Sequence, residues 1–104
     1  MITEYIRYLI PEDQVEAFVA AYTEARHPLA ASPHCLAYSL QRCVEEPGRF
    51  VLRIEWDSLG GHMQGFRGSD HFRSFFSHIR PFVGMIEEMQ HYESLGIESQ
   101  DASA

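Results

Sequence analysis

The sequence contains no lysine: all eight positive residues are arginine, set against 15 acidic ones, for a formal net charge of −7. A polyanion would meet a repelling field, so nucleic-acid binding is not expected, and a small neutral or aromatic ligand fits better. No apolar run exceeds Ala17–Tyr22, far short of a membrane span. No basic stretch stands ahead of an apolar core at the N-terminus, so a cytoplasmic protein with no membrane partner is expected. Cysteine is scarce. Cys35 and Cys43 lie eight apart in what reads as one extended strand, about 26 Å at ~3.3 Å per residue, too far to pair with each other. Two unpaired thiols suit a reducing cytosol. Neither follows a helix start, where a thiol pKa would drop, and G-x-S-x-G is absent, so hydrolase chemistry is disfavoured.

Metal-ligand spacing is also missing, although there are six histidines. There is no HExxH and no histidine pair at i,i+3 or i,i+4. His71 and His78 stand two turns apart, about 10.5 Å along a helix axis, which is too far for one ion. His62 falls on a different helix. His91 and Glu93 share a strand face without an identifiable third partner, so no metal and no other cofactor is expected. The glycines of "GGHMQGFRG" lack the strand-to-helix setting of a nucleotide loop, and read as loosening or bending a helix at about 1 kcal/mol each relative to alanine.

What is present is enough for one domain. A chain of 104 residues buries roughly 65% of its unfolded surface. Residues 2–10 alternate Ile2, Glu4, Ile6 and Tyr8 against Thr3, Tyr5, Arg7 and Leu9, which predicts a first strand. Pro11, Glu12 and Asp13 then open a helix whose apolar residues Val15, Phe18, Val19, Tyr22 and Ala25 recur at helical spacing to about Ala31. Residues 34–43 and 50–56 alternate again around "EEPG", which predicts an antiparallel hairpin. Ser58 and Ser69 are N-cap candidates for two short helices, and 87–95 reads as a last strand.

The order βαββαβ predicts a ferredoxin-like α+β fold, with a four-stranded antiparallel sheet and helices on one face. Apolar residues occupy both sets of alternating positions (Ile6 and Leu9, Leu40 and Ala37, Ile54 and Val51). The uncovered face would then be an apolar patch, and a homodimer with sheets face to face is expected.

The stretch "FVLRIEWDSLGGHMQGFRGSDHFRSFF" is a strand ending in Trp-Asp-Ser, followed by two short helices joined through Ser-x-His-Phe. It resembles the antibiotic biosynthesis monooxygenase family of dimeric α+β barrels; the likeness in element order covers about residues 2–95, which sets a domain at 1–96 and leaves 97–104 as a flexible tail. The resemblance implies a cavity in each subunit closed by residues 58–80. It further implies a cofactor-independent monooxygenase that oxidises a small aromatic phenol, quinol or polyketide-like substrate with O2, the substrate supplying the electrons. Such work needs a base and an oxyanion donor in a water-poor pocket. The candidates are His71, Tyr38 and Arg67 for catalysis, with Trp56, Tyr5, Arg7, Phe66, Phe75, Arg73 and His62 for substrate binding. The alternative is a non-catalytic dimeric ligand-binding barrel. Haem degradation is disfavoured, because strand one has no asparagine, and Phe66 and Phe76 stand where family members that degrade haem place a tryptophan and the axial histidine.

Overall fold

The computed structural model describes residues 1–99. Four strands, β1 (Ile2–Leu9), β2 (Cys35–Arg42), β3 (Arg49–Trp56) and β4 (Ile86–Glu93), form one antiparallel sheet in the order β2-β3-β1-β4. Two helices, α1 (Val15–Ala31) and α2 (Asp70–Ile79), pack on one face of it. This is the expected ferredoxin-like arrangement. Its register follows from the period-two pattern: Phe50, Leu52, Ile54 and Trp56 of β3 and Glu4, Ile6 and Tyr8 of β1 all point into the core.

The two helical segments after β3 begin where the chain offers side-chain acceptors. Ser69 Oγ accepts from the Phe72 N–H at 3.3 Å, and Ser58 Oγ accepts from the Gly61 N–H at 2.8 Å. Pro11 does not open α1 directly; it precedes one 3-10 turn, Glu12–Gln14, which feeds the helix. The first of the two short helices departs further from expectation. It continues through Gly61–Phe66 as a π-helix, with the Arg67 N–H reaching back five residues to the His62 carbonyl at 3.1 Å. Such wide turns are rare and concentrate at functional sites. After α2, a 3-10 segment (Arg80–Met85) leads into β4, which starts at Ile86 rather than 87 and ends at Glu93 rather than 95. Between Arg7 and Tyr8 the β1–β4 register slips by one residue, a bulge near the start of the edge strand. Of the expected tail, residues 97–99 have no regular structure and 100–104 lie outside the described residues.

The outer sheet face is more polar than its apolar alternation predicts. Val51 and Ala37 sit there, but Arg7 pairs with Glu88 at 3.4 Å, Arg53 donates to Glu55 at 2.6 Å, and Tyr5 meets Tyr92 edge-on at 5.4 Å. Charges threaded between the apolar residues break the patch. Cys35 and Cys43 are both free, and burial pushes the Cys35 thiol up to about 11, far from a nucleophile's range.

Candidate functional site

A cavity of about 170 Å³ lies between the sheet and the helical segment 61–79. Phe66, Phe72, Phe75, Phe76 and Ile79 wall it on the helix side, with Ile6, Ile54 and Trp56 on the sheet side; the exposed Val83 and Met89 stand at its mouth. Its polar residues are few: Glu4, His62 and Arg67, with Tyr8 also in the lining. An apolar lining with a few convergent polar groups is the usual form of a small-molecule site.

Glu4 is the least expected of these. It is 1% exposed and sits between Ile2 and Ile6 on the inward face of a central strand. A carboxylate in that position costs several kcal/mol to bury unless it is paired. Trp56, directly opposite Ile2 on β3, donates its indole N–H to Glu4 Oε1 at 3.1 Å. The second oxygen, Oε2, is buried with no hydrogen-bond partner. Burial pushes the Glu4 carboxyl above its usual range, against the Trp56 hydrogen bond and the Arg67 charge, which pull it down.

Two histidines converge on that carboxylate. The antiparallel register places His91 of β4 directly across from Glu4. His62 comes from the π-helical segment, 3% exposed, its ring stacked on Trp56 at 4.3 Å with planes 10° apart. His62 Nδ1 and His91 Nε2 lie 2.6 Å apart, so one donates to the other. Glu4 Oε1 is 3.6 Å from His62 Nε2, and Glu4 Oε2 is 3.8 Å from His91 Nε2, beyond hydrogen-bond length. Burial, with help from the Arg67 charge, pushes the His62 imidazole down to about 3 and His91 below its usual value. Both rings are therefore neutral near pH 7, and their approaches to Glu4 are not ion pairs. Electrostatics favours one tautomer: His91 donates from Nε2 to His62 Nδ1, leaving the His62 Nε2 proton to face Glu4. The reverse would aim a lone pair at a carboxylate. Arg67 follows the π-helical segment, half-buried, with its Nε buried and unpartnered and Nη2 3.9 Å from the Met89 sulfur.

The glycines at 61 and 65 make this geometry possible. A Cβ on Gly61 would run into the Asp57 carboxylate, and one on Gly65 into the His34 ring. His34 and Asp57, paired at 2.9 Å, lie across that bare face and let the segment approach the end of β3 closely. The sequence read these glycines as loosening a helix; in the structure they admit neighbours.

Of the expected site residues, Trp56, Phe66, Phe75, His62 and Arg67 line the cavity. Trp56 is both core and wall, fully buried and facing the space. The others lie elsewhere. Tyr5 and Arg7 occupy the outer sheet face, because strand residues alternate and their neighbours Glu4 and Ile6 take the inward positions. Tyr38, exposed on the edge strand β2, borders a separate depression with Val19, Tyr22 and Leu29 of α1. Arg73 is exposed and pairs with Asp70. His71, in the first turn of α2, is half-buried and is not among the cavity-lining residues. Glu4 and His91 were missed as a pair. The signal for Glu4 was its place in the set Ile2, Glu4, Ile6, Tyr8, a carboxylate on an otherwise core-facing side of a strand.

The antibiotic biosynthesis monooxygenase family model matches residues 1–77. A candidate antibiotic biosynthesis monooxygenase from Bordetella bronchiseptica is similar at 26% identity and a TM-score of 0.72, over 90% of this chain and 96% of that one. Rv0793 from Mycobacterium tuberculosis shares the fold at a TM-score of 0.75 and 19% identity, over 94% and 98% of the two chains. The uncharacterized protein YczJ of Bacillus subtilis (strain 168) is 25% identical over 95 residues, 91% of this chain and 100% of its own length. The shared fold and a family-model match across most of the chain agree: the protein belongs to the antibiotic biosynthesis monooxygenase family.

Proposed function

We propose that the chain is a cofactor-independent monooxygenase acting on a single-ring phenol or quinol. The observation that carries this reading is Glu4 Oε2, a buried acceptor without a partner beside an aromatic-lined cavity. An orphaned buried acceptor costs about 1–3 kcal/mol, which a substrate hydroxyl would recover by donating to it. The carboxyl's raised pKa makes it a better base near neutral pH than an exposed glutamate. Arg67 shares the cavity and would face the phenolate that forms.

Size selects the ring count. A cavity of about 150 Å³ suffices for benzene, whereas drug-sized ligands occupy roughly 300–1,000 Å³. The space here, about 170 Å³, suits one ring and is too small for three fused ones. With hydroquinone the reaction balances as hydroquinone plus O2 giving 2-hydroxy-1,4-benzoquinone plus water. The hydroxyl proton passes to Glu4, the phenolate passes one electron to dioxygen, and the radical pair joins in a new C–O bond. The O–O bond then breaks and the second oxygen leaves as water.

Oxygen uptake by the metal-free protein with hydroquinone, 1-naphthol and anthrone tests this. Turnover is expected to fall in that order, and Glu4→Gln to lose about 10²–10⁴-fold, the usual contribution of a general base. His71→Ala and Tyr38→Phe separate the sequence-based candidates from Glu4. If either abolishes turnover while Glu4→Gln does not, the base is misassigned. Tight hydroquinone binding with no oxygen uptake would move the protein to the ligand-binding class. Pairing of two outer sheet faces into a homodimer belongs to the same reading, and a monomer by sedimentation at micromolar concentration would overturn it.

A further inference from the structure

We propose that Glu4, His62 and His91 form a site for one divalent transition-metal ion, with an open coordination position facing the aromatic cavity. One ligand atom from each of the three lies within 4.8 Å of the other two. They come from three separate elements, β1, the π-helical segment and β4, so only the fold assembles them. This inference goes beyond the oxidation proposed above and does not depend on it.

The donor set fits. Two imidazoles and one carboxylate suit Zn²⁺, Fe²⁺, Co²⁺, Ni²⁺ or Cu²⁺, whereas Mg²⁺ and Ca²⁺ seek all-oxygen shells. Three protein ligands leave the remaining position free, as in metal sites that do chemistry. Support around the ligands is already in place. Trp56 holds Glu4 Oε1 through its indole N–H and clamps the His62 ring by stacking, which fixes carboxylate and imidazole alike. Glu4 Oε2 is left buried and unpartnered, an acceptor held without a donor.

Two features set what binding requires. His62 Nδ1 and His91 Nε2 are 2.6 Å apart and share one proton. Two ligands at about 2.1 Å from one ion sit roughly 3 Å apart, so the metal displaces that proton and the rings spread slightly. His91 lies on the edge strand β4 and is only half-buried, so it has room to move. Arg67 shares the cavity, and its positive charge opposes a dication. Bound metal and proton transfer at Glu4 therefore exclude each other, since both use the same lone pairs.

The chelator-treated 104-residue chain titrated with Co²⁺ and Zn²⁺ tests the site, read by Co²⁺ visible absorption and by calorimetry with no substrate present. One ion per chain is expected. His91→Ala and Glu4→Gln should each weaken binding by roughly 100-fold, because loss of a supporting group alone costs 10–100-fold. His27→Ala and His78→Ala, both at exposed positions, should leave it unchanged. Arg67→Met should tighten it, an outcome that general destabilisation would not produce. Circular dichroism confirms that each variant is folded. Absence of one-to-one binding, or binding that survives both His91→Ala and Glu4→Gln, overturns the proposal and assigns the ion to surface histidines. Neither result bears on oxygen uptake by the metal-free chain, so the two proposals fail separately.

Discussion

The inward face of the sheet carries two buried aromatic clusters with opposite polar accounts. Around Phe18, the rings of Tyr8, Tyr22, Phe50 and Phe82 pack at centroid distances of 4.8–5.3 Å, and the two tyrosine hydroxyls meet at 2.5 Å. Each satisfies the other. Around Trp56, the rings of His62 and Phe66 pack comparably at 4.3 and 5.0 Å, yet Glu4 Oε2 and Arg67 Nε have no partner, and space remains between the walls. Sheet and helices supply similar apolar burial to both. What separates a core from a site here is whether the buried polar atoms end on each other or on a void.

The largest test of that contrast is truncation. Phe18→Ala should cost about 3–5 kcal/mol in urea denaturation, because a fully buried ring is removed from a closed cluster. Phe76, half-buried beside an existing cavity, should cost about 1 kcal/mol as Phe76→Ala, since the space is already partly open. Equal costs would mean that the second cluster is as closed as the first.

Acid and alkali should attack different halves. His62 titrates at about 3 in the fold against 6.5 unfolded, and His91 is lowered too. Their stabilisation is full above 6.5 and is lost as pH falls toward 3, a few kcal/mol over that window. Glu4 has the opposite sign: its pKa is raised, so stability falls as pH climbs from 4.5 through its folded value, which offsets part of the histidine slope. On the alkaline side, Tyr8 is pushed up to about 12 by burial and Tyr22 well above its usual 10. Stability is therefore full below 10 and is lost above it. With chelator present, His62→Phe should flatten the acid limb and leave the alkaline limb alone. Urea midpoints from pH 4 to 11 for both proteins check this, and an unchanged acid limb would exonerate the histidines.

Much of this architecture was legible in the sequence, because each central strand keeps one strict period. The Phe50, Leu52, Ile54, Trp56 series fixed the face of β3, and the Ser58 and Ser69 caps located both helical starts. The site was legible only where local rules sufficed, at Trp56, Phe66, Phe75, His62 and Arg67. Tyr5 and Arg7 were lost to parity, a one-residue matter that flips a side chain through the sheet. The Glu4–His91 pair depends on β1–β4 register across more than 80 residues of chain, which no local spacing encodes. The π-helix escaped for a related reason: its glycines pack against His34, which the fold brings from the start of β2 and local spacing does not encode.

Two conservative substitutions should differ in sign. Tyr8→Phe leaves the Tyr22 hydroxyl buried and alone, at a cost of about 1 kcal/mol or slightly more. Glu4→Gln keeps an acceptor for the Trp56 N–H but removes the charge from a desolvated position. It should stabilise the protein at pH 7 by about 1 kcal/mol, the familiar trade of stability against a functional group. Thermal denaturation of both variants decides the point, and destabilisation by Glu4→Gln would mean the carboxylate is already well accommodated.

The smallest expected effect lies at the join between the helical segment and the sheet. Gly65→Ala places a methyl group in the His34 ring, but His34 is only half-buried and can swing out, so the clash is relieved rather than stored. Alanine also favours the helix by up to about 1 kcal/mol over glycine, and the two terms nearly cancel. Stability should therefore change by less than about 0.5 kcal/mol, while the His34–Asp57 bond of 2.9 Å is lost. NMR titration of Asp57, whose carboxyl the His34 hydrogen bond holds below its usual range, reads that loss directly. A large destabilisation instead would show that the segment is held rigidly against β3, and that the cavity it covers opens without moving this contact.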